Sequence, residues 1–244
     1  MMRLGLVLLL MLPVGVASAQ FQYGGGPRGA RSAGPMLSLV DFNYEPEGVP
    51  EVAFSYANPA YGLFYSRQGF VVRLMRGAGD APDGGNYVLV DGQLQAWGTY
   101  RPFKGSGEGG VDVFLPLGIH GDYRQLRVEG TAESGTVFDV TVVALQGGLG
   151  VALPVGRTDL ALRAAPFFGI ASRSFGNETG SSAGYSVDAE WATPELKGRY
   201  GLYAGWGFRW QRWLLSAASA LVRPESDNVE YRSTVHAFQV GLTF

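Results

Sequence analysis

In segment after segment beyond residue 36, apolar residues stand at every second position, and no stretch keeps a 3.6-residue period for three turns. In 158–172 the apolar set is Leu160, Leu162, Ala164, Pro166, Phe168 and Ile170, with Asp159, Arg163 and small residues between them. In 198–210 one face carries Tyr200, Leu202, Ala204, Trp206, Phe208 and Trp210. The other carries Arg199, Gly201, Tyr203, Gly205, Gly207 and Arg209. Residues 183–192 repeat the theme, with Tyr185, Val187, Ala189 and Trp191 against Asp188 and Glu190. Alternation of this kind predicts strands, and turn residues divide the chain into twelve of them. They fall at 36–44, 51–65, 68–76, 87–98, 110–119, 122–130, 136–153, 158–172, 183–192, 198–210, 213–223 and 229–244. Trp210-Gln211-Arg212-Trp213 reads as a two-residue turn bracketed by indoles, and Gly118-Ile119-His120-Gly121-Asp122 as a Gly-flanked turn.

An ordinary sandwich strand also alternates, but it rarely sets a row of aromatics against glycines and arginines. A band of aromatics facing lipid over a polar interior accounts for both faces. Backbone polar groups in lipid must be satisfied within the protein, so a chain without spanning helices crosses only as a closed barrel. The expected fold is therefore all-β, a single antiparallel transmembrane β-barrel of twelve strands. Eight or ten strands are open if boundaries shift, and a secreted β-sandwich or lipocalin-like barrel is the soluble alternative.

The start of the chain agrees with export. Met1-Met2-Arg3 is a short positive start, Leu4 to Val16 is apolar, and Ala17-Ser18-Ala19 is a cleavage-type site, so 1–19 reads as a signal peptide. The apolar run is shorter than the roughly 20 residues a spanning helix needs. Residues 20–35, rich in Gly and Arg, form a flexible lead-in, and 36–244 form the barrel.

Composition removes several function classes. The chain has no Cys, which excludes disulfides and thiolate metal sites, and its two His cannot build a ligand cluster. No metal or cofactor is expected. A net charge of −2 from 19 basic and 21 acidic residues leaves no nucleic-acid footprint. Gly105-Ser-Gly-Glu-Gly-Gly110 leads into no helix and no Lys-Ser/Thr, so it is a loop and not a phosphate cradle.

The last residues, Phe238-Gln-Val-Gly-Leu-Thr-Phe244, alternate and end on an aromatic. This tail resembles that of bacterial outer-membrane β-barrel proteins. The resemblance implies an outer-membrane location, a surface in contact with outer-membrane lipids, and recognition of the strand ending at Phe244 by the barrel-assembly machinery. Trp206, Trp210, Trp213 and Phe244 are then expected as aromatics at the membrane rims.

Arg163, Arg199, Arg209, Asp188 and Glu190 fall on the face assigned to the interior. They give either a polar lumen lining for a passive small-solute pore or a salt-bridged filling that closes the lumen. In the closed case loops near 77–86, 101–110 and 224–228 would meet partners. A lipid-modifying barrel enzyme would need a serine beside a base, but Ser233 and His236 point to opposite faces of one strand. The chain is read as a non-enzyme with no catalytic residue. Asn58-Pro59-Ala60 resembles an element of the outer-membrane fatty-acid-transport family, whose larger barrel has a plug that 20–35 cannot supply.

Overall fold

The computed structural model describes residues 31–44, 54–67, 69–82, 84–103, 110–130, 135–156, 158–173, 179–193, 200–216 and 228–244. The segment 1–19 assigned to a signal peptide, the first part of the lead-in, Arg199, and most of the loops at 101–110 and 224–228 lie outside them. The strands are β1 (Ser32–Tyr44), β2 (Phe54–Arg67), β3 (Phe70–Asp80), β4 (Asn86–Phe103), β5 (Asp112–Glu129), β6 (Gly135–Gly147), β7 (Leu149–Val155), β8 (Thr158–Ser172), β9 (Thr179–Ala192), β10 (Gly201–Ser216) and β11 (Asn228–Thr243). No helix of the described residues is long and apolar enough to cross a membrane.

Every pairing is antiparallel, and the sheet closes on itself through β1 and β11. Closure runs to the last residue, where Phe244 and Arg31 exchange two backbone hydrogen bonds of 2.9 and 3.1 Å. Between β5 and β8 stand β6 and β7, which keep one register against each neighbour: Leu117↔Gly147 continues as Phe114↔Gly150, and Gln146↔Phe167 as Leu149↔Ala164. They are two segments of one stave interrupted at Gly148, so ten staves close the barrel. Pro116 and Pro166 flank the interruption on the two neighbouring strands, and neither can donate to the ladder there.

Ten staves replace the expected twelve because two supposed turns are strand interior. The first, 118–122, lies in the middle of β5, where Gly118 allows close passage; a Cβ there would collide with the Ala96 carbonyl and Trp97. The second, 210–213, is continuous β10, paired residue by residue with β9 and β11. β1 starts at Ser32, inside the stretch read as lead-in, and the Asn58-Pro59 bend does not interrupt β2.

Alternation sorts the side chains into two environments. The outward face carries Leu39, Leu63, Leu74, Leu117, Leu145, Phe168, Ile170 and Val240, all exposed, Leu145 at 74% and Phe168 at 66%. At the rim away from the termini this band gives way to a charged fringe, Glu230 holding Arg232 at 2.5 Å and Arg212 at 3.7 Å. If the apolar band faces lipid, a cation at its middle is expensive. Leu145→Arg is expected to destabilise the barrel in bilayers by about 2–4 kcal/mol, read by denaturant titration, with little effect if the band faces water.

Candidate functional site: a filled lumen

The inward face is polar at mid-height and aromatic towards the rim away from the termini. There Phe42, Phe54, Phe138, Trp213, Tyr44 and Tyr231 meet across the lumen. Ring centroids stand 4.7 Å apart for Phe42–Phe138, 5.6 Å for Phe138–Trp213 and 4.5 Å for Tyr44–Tyr231. These side chains come from the four neighbouring strands β2, β1, β11 and β10 and from β6 on the facing wall, so they meet across the lumen.

Below the plug, two carboxylates each bridge two arginines. Asp91 on β4 takes Arg124 of neighbouring β5 at 2.5 Å and Arg209 of β10 at 2.8 Å. Asp188 on β9 takes Arg163 of neighbouring β8 at 2.5 Å and Arg73 of β3 at 2.7 Å. In each bridge one arginine is a cross-strand neighbour and the other reaches over from a distant wall. The two bridges therefore tie β4 to β10 and β3 to β9 through the lumen. Gly207 makes room for the second, since a Cβ there would stand 3.2 Å from the Asp188 carboxylate.

Amides and rings complete the filling. Arg73 donates to Gln93 at 3.0 Å and Arg163 to Gln95 at 2.6 Å, while the Arg163 guanidinium lies 3.8 Å from the Trp97 ring centroid. Arg124 packs on Phe42 and Trp213, which joins the bridges to the plug. His120 contacts Asp122 at 3.1 Å and Gln95 at 3.4 Å and stacks on Phe167, with centroids 4.1 Å apart. Gln211 donates to Asp122 at 2.6 Å and to Ser182 at 3.0 Å. Towards the other rim Phe64 packs on Tyr203, and Arg101 pairs with Asp112 at 2.9 Å.

Of the expected lumen residues, Arg163, Arg209 and Asp188 are buried inside, and Glu190 shares their face. The structure joins Arg163 to Asp188 and seats Arg209 on Asp91. Trp206 and Trp210 face outward, Trp210 stacked near Tyr185 with centroids 5.7 Å apart, and Phe244 is half exposed. Trp213 does not join them at a rim. An odd position on β10 points it inward, and it is fully buried. His120, read as a turn residue, is likewise fully buried in the lumen. Arg73, Asp91 and Arg124 escaped the sequence reading. A period-2 signal was present for Asp91, Gln93 and Gln95, which alternate with Val90, Gly92, Leu94 and Ala96.

A closed ladder whose outer face is an apolar band, with arginines and carboxylates paired inside, is not the surface a soluble protein presents. The fold is that of an outer-membrane β-barrel. No protein-family model matches the chain, and no curated protein sequence matches it. Among solved structures it is similar to the outer membrane protein OprG from Pseudomonas aeruginosa, at 10% identity and a TM-score of 0.38, covering 90% of this chain and 96% of that one. It is also similar to the translocator domain of autotransporter NalP from Neisseria meningitidis, at 10% identity and a TM-score of 0.30, covering 98% and 95%. Likeness this loose says nothing of what such a barrel carries.

Proposed function

We propose that the protein is an integral outer-membrane barrel whose resting lumen is closed, and which acts through its lipid-facing surface and its loops. The observation that carries this is the pair of Arg–Asp–Arg bridges crossing the lumen beneath an aromatic plug. A solute would have to break several buried charge-assisted hydrogen bonds and displace packed rings before passing. The location rests on the outward apolar band together with the export-type start of the chain. Contact with outer-membrane lipids, and assembly through the strand ending at Phe244, belong to the same reading.

A second reading is favoured by the chemistry of the filling at mid-height. Arginines, carboxylates and amides are groups that water would solvate, so bridges that part would leave a wet, small-solute conduit. Single-channel recording in a planar bilayer decides between the two. The purified protein is expected to insert and remain silent. Reproducible steps from the unaltered protein would overturn the closed resting state in favour of the conduit.

A further inference from the structure

Gln95 of β4 and Arg163 of β8 are 68 positions apart and stand on strands that are not neighbours, so their bond of 2.6 Å is a third tie across the lumen. The same amide touches His120 of β5, its Nε2 lying 3.4 Å from the ring Nδ1. His120 is fully buried and lies flat on Phe167, which holds the ring in place.

The direction of each hydrogen bond follows from what its two ends can do. A guanidinium only donates, so the Gln95 oxygen faces Arg163 and the Gln95 amide nitrogen faces His120. Nδ1 must then accept, which puts the one proton of a neutral ring on Nε2. Asp122 receives it there at 3.1 Å, through the oxygen that also takes Gln211. A second proton, on Nδ1, would meet the Gln95 amide hydrogens, donor against donor. Turning the amide over would give that proton an acceptor but set the amide nitrogen against Arg163. The tie would be cut, and Arg163 would keep Asp188 and the Trp97 ring.

The charged groups facing His120 pull in opposite directions. Asp122, two residues along its own strand, favours a charged ring, while Arg163, acting through Gln95, opposes it. Arg124 of the same strand and Arg209 of β10 lie within electrostatic reach of Asp122, both seated on Asp91 of β4. Asp188 of β9 stands behind Arg163, and β6 sets only Ala144 opposite the ring. The four arginines of the bridges are matched in number by Asp91, Asp122, Asp188 and Glu190, so a proton on His120 adds an unmatched positive charge.

We infer that His120 is a proton-operated latch on the lumen. In its neutral form it holds the Gln95 amide in the orientation that receives Arg163. A proton on Nδ1 turns the amide over and cuts the tie between β4 and β8. Acid thus loosens the filling from within. The latch rests on the closed resting lumen proposed above and gives that closure its regulation.

Nitrogen NMR of the folded barrel, labelled at histidine and arginine, reads the latch, and His236→Gln on the outward face leaves His120 as the one imidazole. At pH about 7.5 Nε2 is expected to carry the proton and Nδ1 none, and towards pH about 5 the Nδ1 and Arg163 guanidinium signals are expected to change together. Over that range the folding equilibrium in bilayers is expected to fall by up to about tenfold per pH unit relative to His120→Gln, the most one proton can give. Gln95→Glu offers an acceptor to both neighbours and is expected to abolish this sensitivity. A protonated Nδ1 at the higher pH, or a ring still neutral at the lower, would overturn the latch. Arg163 signals that ignore the titration, or acid sensitivity kept in Gln95→Glu, would overturn the coupling and leave an ordinary buried histidine. Failure of closure shows separately, as current from the unaltered protein.

Discussion

Asp188→Ala is expected to lower the unfolding free energy of the barrel by about 3–5 kcal/mol, the cost of breaking a buried ion pair by removing one partner. The substitution leaves Arg73 and Arg163 facing each other with no carboxylate between them. Both are buried; Arg163 keeps Gln95 and the Trp97 ring, and Glu190 is a carboxylate that still acts on both arginines without a direct ion pair. Asp188→Asn keeps the shape and one acceptor, so it should cost clearly less. Replacing Asp188 together with Arg73 and Arg163 by apolar residues of similar volume should recover most of the loss, because no charge is then left buried. Urea titration of the folded barrel in lipid bilayers reads all three. A cost for Asp188→Ala below about 1 kcal/mol would mean that the arginines are solvated, as at an exposed ion pair, and the lumen would then have to be wet.

Much of this arrangement was legible in the sequence. In β8, β9 and β10 the outward set, Leu160 to Ile170, Tyr185 to Trp191 and Leu202 to Trp210, follows from alternation alone, because lipid and lumen make opposite demands on successive residues. The same rule placed Arg163, Asp188 and Arg209 inside. What it could not supply was the pairing across the lumen. Asp91 and Arg209 are 118 positions apart, and Arg73 and Asp188 are 115. Only closure of the barrel brings them together, and no local pattern encodes closure. The strand count failed for a different reason. Gly118 and Gly121 look like turn residues, yet they interrupt no alternation: Phe114, Pro116, His120, Asp122, Arg124 and Leu126 all lie on the inward side of one strand. A glycine that lets strands pass closely and a glycine that turns the chain are the same letter. The period on either side is what separates them.

Trp213 makes that distinction measurable. As part of a turn its indole would sit at a membrane rim, and its removal would cost little more than the loss of one interfacial anchor. On the inward face of β10 it is fully buried between Phe42 and Phe138 and beneath the Arg124 guanidinium, with ring centroids at 5.7 and 5.6 Å. Trp213→Ala is therefore expected to cost about 3–5 kcal/mol, the range for emptying a large aromatic from a packed core. Trp210→Ala, three positions away on the outward face, should cost far less, because lipid refills the space. Denaturant titration of the two variants side by side gives the comparison. Equal costs would place both indoles in one environment and restore the turn. A large cost confined to Trp213 fixes the phase of β10 and removes one of the two turns that separate ten staves from twelve. It also shows that the aromatic plug is packed protein, so that closure of the lumen is part of what holds the barrel folded.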